Sequence, residues 1–229
     1  MITAKAVIFD LDCTLIDTLD RFFDLFNELL IERGDKPLSR TSFLKRYVDD
    51  TLDDVVAPVH IDRREERLHK FWMEFLVRYR KDGPCGKLIP GVRQVFKKLG
   101  AARIPIAVIT SCIVPSAELK RELAGWGLDS YVKTITTAHD VAEDIAKGHH
   151  FSKVEIFQNA VKNLGVRAED CVVVGDYWND IRDGKKVGAK TVAVLTGQMR
   201  RQLLEKYGPD AIIDGVKDLL KVVQFERGD

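Results

Sequence analysis

Four short apolar runs do most to limit what this chain can fold into: Ala6-Val7-Ile8-Phe9, Ile106-Ala107-Val108-Ile109, Cys171-Val172-Val173-Val174 and Thr191-Val192-Ala193-Val194-Leu195. A strand with one wet face alternates apolar and polar residues, whereas an unbroken apolar run is buried on both faces, as in a parallel sheet covered by helices. Ala211-Ile212-Ile213 is a weaker fifth run. Between the runs, Val92, Val95, Phe96 and Leu99 share a helical face, as do Ile156, Ala160, Val161 and Leu164. Strand alternating with helix predicts an α/β protein with a Rossmann-like, three-layer parallel-sheet core.

The alternation is interrupted once. After the first run comes a long helical stretch before "LIPGV" at Leu88–Val92. Within it, Asp17 or Thr18 is placed to cap a helix carrying Leu19, Phe22, Phe23, Phe26, Leu29 and Leu30, with Gly34 just beyond its end. Leu68, Phe71, Trp72, Phe75, Leu76 and Tyr79 repeat the pattern. Residues 17–87 are therefore expected to form a small helical domain inserted into a core made of 1–16 and 88–229, ending at the turn-rich "KDGPCGK".

Composition narrows the function classes. The 229 residues, 45% hydrophobic and 31% charged, supply an ordinary globular core, and 36 basic against 35 acidic side chains leave a net charge of +1. No basic field exists to draw in nucleic acid, and no apolar run reaches the roughly 20 residues that cross a bilayer. "MITAK" leads straight into the first run, so no secretory leader is expected. Cys13, Cys85, Cys112 and Cys171 lack CxxC spacing and read as reduced thiols in a cytoplasmic protein.

In open parallel sheets the functional crevice lies beyond the carboxyl ends of the strands. The residues found there are Asp10 and Asp12, then Thr110 and Ser111, then Gly175 and Asp176, with Asp180 four positions on. An Asp after a strand is often only a turn former, but this set together points to chemistry. Carboxylates crowded into one crevice repel unless a cation sits among them, and oxygen ligands without His or Cys suit a hard ion, Mg²⁺ foremost. Mg²⁺ beside an acidic pair suggests phosphoryl transfer.

"VIFDLDCTLIDT" resembles the DxDxT segment of the haloacid dehalogenase superfamily of phosphohydrolases. "IAVITS" and "VVVGDYWNDIRDGKKVGAKTVAVLTG" resemble that family's second and fourth motifs, in the expected order, and "PGVRQVFKKLG" is also typical. The resemblance implies that Asp10 is a nucleophile forming an aspartyl-phosphate, and that Asp12 protonates the leaving oxygen and then activates water. It also implies that Asp10, the Asp12 backbone carbonyl and Asp176 hold Mg²⁺ with Asp180 supporting them, and that Thr110 binds a phosphoryl oxygen. Thr14 would tighten the loop. The helical insertion becomes a cap that closes over the site and selects the substrate, a small phosphorylated metabolite. Dehalogenation is disfavoured; a sugar-phosphate mutase and a non-catalytic phospho-ligand-binding protein stay open.

Two departures from the family pattern stand out. The Lys-Pro segment that many relatives place ahead of the fourth motif is missing, with Phe151 at the matching position; Lys153 in "SKVEIF" is the preferred phosphate-site lysine, ahead of Lys147. Cys13 stands where relatives usually carry Gly, and is read as a small residue tucked under the loop rather than a redox sensor. The adjacent His149 and His150 are read as a solvated pair, and Arg63, Arg64, Arg67 and Lys70, interleaved with Glu65 and Glu66, as the exposed face of a helix.

Overall fold

The computed structural model describes residues 1–81, 83, 85–141 and 152–226; Lys147, His149, His150 and Phe151 lie outside the described residues. In chain order the strands among them are β1 (Ile2–Ala4), β2 (Ala6–Asp10), β3 (Ile16–Asp17), β4 (Lys87–Leu88), β5 (Ile106–Thr110), β6 (Val132–Thr137), β7 (Cys171–Gly175), β8 (Lys190–Val194), β9 (Ala211–Ile213) and β10 (Val223–Phe225). Six of them form one parallel sheet in the order β6-β5-β2-β7-β8-β9.

The four main apolar runs are the inner strands of this sheet and the weaker fifth is its edge strand β9; β2, β5 and β7 are buried at every position. Their pleat sends alternate side chains to opposite faces. Val7 and Phe9 join one core with Val172 and Val174, while Ala6 and Ile8 join a second with Cys171 and Val173. The helices α5 (Val92–Ala101) and α6 (Ser116–Gly125) cover the first face, and Phe96 stacks on Phe9 with ring centroids 5.2 Å apart. The helix α7 (Val154–Leu164) covers the second with Ile156, Phe157, Ala160 and Leu164. The three layers are thus helix, sheet, helix, as expected from the sequence.

The edge strand β6 was not legible. Its sequence, VKTITT, carries no apolar run because only Thr136 and Thr137 are fully buried and the rest of the strand is partly wet.

Between β2 and β5 lie α1 (Leu19–Glu32), α2 (Arg40–Val48), α3 (Asp53–Val56) and α4 (Arg64–Arg78), packed around their own core. Aromatic rings lock α1 to α4: Phe22 meets Phe75 at 4.6 Å and Phe26 meets Phe71 at 5.3 Å between centroids. Both chain crossings into this helical segment pass through one small antiparallel ladder, in which Ile16 faces Leu88 and Asp17 faces Lys87.

At the start of α1, Thr18 occupies the cap position but gives no capping bond; the Asp17 side chain accepts from the Leu19 amide at 3.3 Å instead. Gly34 follows the helix with φ +79°. No helix among the described residues is long and apolar enough to cross a membrane.

Candidate active site

Parallel strands end on one side of the sheet, so β2, β5 and β7 deliver Asp10, Thr110 and Gly175-Asp176 to a shared crevice. The helix α8 (Trp178–Lys186) begins there and presents Asp180 from its first turn. Lys153, immediately before α7, completes the group. Its Nζ donates to Asp10 Oδ1 and to Asp180 Oδ1, each at 2.7 Å. All of these side chains are buried.

Ligand oxygens of Asp10, Asp176 and Asp180 lie within 4.8 Å of one another. This donor set is all oxygen, buried and acidic, which fits a hard divalent cation and not a thiophilic one. Thr14 donates to Asp176 Oδ1 at 2.7 Å, and the Tyr177 amide to Asp180 Oδ2 at 3.1 Å, so one oxygen of each carboxylate is pinned. Gly197 stands so close behind Asp176 that any Cβ there would collide with the carboxylate, and Gly175 does the same for Asp180. Sequence reading did not single out Gly197; the close approach that requires it appears only in three dimensions.

The electrostatics match this crowding. Burial above all raises the Asp10 carboxyl to about 7, with Lys153 opposing and the charges of Asp180 and Asp12 adding to the rise. Burial, then Asp10 and Asp180, push Asp176 well above the ordinary carboxylate range. Burial also works against the Lys153 ammonium, but the two carboxylates outweigh it and hold its pKa above the usual lysine value.

Asp12 is separate from that cluster of three. Its Oδ1 accepts from the Arg80 guanidinium and, at 3.1 Å, from Thr18. Its Oδ2 accepts from Thr110 at 3.1 Å. The Thr110 hydroxyl in turn accepts from the Cys112 amide at 3.1 Å, so it is engaged on both sides. Beside it, the Ser111 hydroxyl is buried with no hydrogen-bond partner among the described residues, and the residue lines the cleft.

Three participants escaped sequence reading. Arg80 sits just past α4, and its side chain is only 2% exposed; besides Asp12 it holds Glu122 of α6 at 2.5 Å. Asp183, one turn after Asp180 on the same face of α8, accepts the Lys153 backbone amide at 2.8 Å. Burial opposes its charge, yet Arg182 and the Lys153 amide keep its carboxyl below the usual value. The i, i+3 spacing of Asp180 and Asp183 was the available signal. Glu122 offered none, since an acidic residue in an amphipathic helix reads as solvated.

Cys13 is buried with φ +58°, the left-handed region where glycine is at ease, and burial pushes its thiol up. Of the basic run, Arg64 folds back to donate to the Ala57 carbonyl at 3.0 Å, while Arg63, Arg67 and Lys70 are exposed. None of the four lines the cleft.

A family model for haloacid dehalogenase-like hydrolases matches residues 7–194. Among curated proteins, the chain is 27% identical over 231 residues to pyrophosphatase PpaX of Bacillus mycoides (strain KBAB4), covering 98% of this chain and 99% of that one. Among solved structures it resembles a hydrolase from Pseudomonas syringae, with a TM-score of 0.67, 23% identity and coverage of 95% and 96%. It also resembles CbbY from Rhodobacter sphaeroides in complex with phosphate, with a TM-score of 0.63, 20% identity and coverage of 94% and 96%. At these identities the structural likenesses speak to the fold.

Proposed function

The chain belongs to the haloacid dehalogenase-like hydrolases, and we propose that its reaction is Mg²⁺-dependent hydrolysis of a small phosphorylated metabolite through a phosphorylated aspartate. The observation that carries this reading is the pairing of Asp10 with Lys153 at 2.7 Å in a buried pocket shared with Asp176 and Asp180. A pyrophosphatase among the relatives and a structural neighbour solved with phosphate agree with phosphoryl chemistry.

Asp10, Asp176 and the backbone carbonyl of Asp12 would hold the ion, with Asp180 steadying it through its pinned carboxylate. Bound there, Mg²⁺ supplies positive charge to offset the phosphoryl oxygens. A carboxylate oxygen of Asp10 attacks phosphorus, the ester P–O bond breaks, and the leaving oxygen takes a proton from Asp12. Asp12 then takes a proton from water as that water attacks phosphorus, releasing inorganic phosphate and restoring Asp10. Lys153 neutralises charge on Asp10 and the phosphoryl group. Thr110 orients Asp12 through its 3.1 Å hydrogen bond, and Ser111, whose hydroxyl has no partner among the described residues, donates to a phosphoryl oxygen.

Residues 17–87 act as the cap over this site, which lies between them and the core. The four cysteines are free thiols, in keeping with a cytoplasmic enzyme.

The test is release of inorganic phosphate from a panel of phosphomonoesters with Mg²⁺ and with EDTA, beside Asp10→Asn. Release that needs both the ion and Asp10 is expected; release that survives Asp10→Asn would overturn the covalent route, and none from any ester would overturn the phosphatase.

A further inference from the structure

The cleft changes character away from Asp10. Its phosphoryl end is polar, with Lys153, Ser111 and Asp176. The remaining wall, supplied by α1, α2 and α4, is aromatic: Phe22, Tyr47, Trp72, Phe75 and, just beyond α4, Tyr79. Two acidic side chains, Asp50 and Asp53, stand in that wall. Trp72 Nε1 donates to Asp53 at 2.7 Å and the Tyr177 hydroxyl donates to Asp50, so both carboxylates are tied to the lining.

Cations are scarce. Lys153 is the only lysine or arginine among the described residues that line the cleft, and its ammonium is shared between Asp10 and Asp180. Arg80 is turned to Asp12 and Glu122.

A leaving group that carries its own phosphate or carboxylate needs cationic donors to replace the water it loses on entry. Where those cationic donors would stand, the described part of this wall has carbon, carboxylates and neutral polar groups such as Tyr47 and Asn179. An apolar alcohol loses nothing there and removes carbon surface from water.

Building on the phosphatase reading, we propose that the cleft selects phosphomonoesters whose alcohol half is apolar and free of negative charge, and that it rejects pyrophosphate and carboxylate-bearing esters. In this the chain would differ from its pyrophosphatase relative. The wall comes from the inserted helices while the reacting groups come from the sheet, so selectivity and chemistry are separable.

The test compares kcat/KM of the Mg²⁺-loaded enzyme on 4-methylbenzyl phosphate, 4-carboxybenzyl phosphate and pyrophosphate. The two benzyl esters leave with closely similar alcohols and differ in charge at the far end. The expected result is a preference of at least about tenfold for the methyl ester over both others, with Asp50→Asn/Asp53→Asn shrinking the gap to the carboxyl ester. Equal rates on the two benzyl esters, a preference for the carboxyl ester, pyrophosphate as the best substrate, or a gap unmoved by the double substitution would overturn the proposal. Turnover with the wrong preference sinks this inference and leaves the phosphatase standing; absence of turnover on every ester sinks both.

Discussion

Lys153 Nζ lies 2.7 Å from Asp10 Oδ1 although 143 positions separate the two residues. The same ammonium holds Asp180, and burial makes it the main counter-charge to a cluster of carboxylates. Lys153→Met is expected to cut kcat/KM by about 10²–10³, the scale of losing one preorganised electrostatic donor. Arginine at this position is expected to rescue little, because a guanidinium fork does not fit a slot built for one nitrogen. Steady-state phosphate release measures both; near-wild-type rates for Lys153→Met would place the lysine outside the chemistry.

Arg80 carries a different load, joining Asp12 to Glu122 across the start of the core. Burial raises the Glu122 carboxyl, against the pull of Arg80. Arg80→Met is expected to cost about 3–5 kcal/mol, chiefly by stranding the buried Glu122, and Arg80→Met/Glu122→Gln to recover a substantial part of it. Urea unfolding midpoints report the difference. A double variant no more stable than the single would show that Glu122 does not depend on Arg80.

Removing the ion should be visible without any substrate. Mg²⁺ at about 100 times its Kd is expected to stabilise the fold by about 2.7 kcal/mol over EDTA. Asp176→Asn is expected to lose that increment and to melt higher than wild type in EDTA, because its carboxyl is buried among like charges. Thermal melts of both proteins with and without Mg²⁺ decide it, and an undiminished Mg²⁺ shift in the variant would remove Asp176 from the ligand set.

Asp53 provides a pH test away from the ion. Burial raises its carboxyl, with Trp72 and Arg64 pulling the other way. A raised folded-state pKa means that ionised Asp53 burdens the folded state: the penalty is absent below the unfolded pKa and complete above the folded one. Asp53→Asn, whose amide oxygen still accepts from Trp72, is expected to raise Tm at pH 7 by about 1–3 °C, the gain closing as pH falls through the aspartate range. A gain that stays constant down to strongly acid pH would mean that ionisation is not its source.

Much of the core was readable because its signals are local. A run such as Val172-Val173-Val174 declares a doubly buried strand wherever it occurs, and the Phe and Leu spacing of α1 declares a helix face. The edge strand β6 was invisible for the same reason: half-wet and rich in Thr, it resembles a loop until β5 pairs with it. Thr18 was an expected capping residue, yet its hydroxyl goes to the half-buried Asp12 carboxylate, while Asp17 satisfies the Leu19 amide.

By itself, then, the order of residues determined a parallel α/β core, a stretch of helices following the first apolar run, and acidic groups at neighbouring strand ends, since periodicity and strand polarity place these without knowledge of long-range partners. Tertiary structure alone decided which cation meets which acid. Lys153 reaches Asp10 and Asp180, Arg80 reaches Asp12 and Glu122, and Asp183 fixes the Lys153 backbone, all across crossovers that no local pattern records. The physical reason is that a buried charge is tolerated only where a partner from elsewhere in the chain offsets its lost hydration, and that pairing exists only once the sheet has assembled.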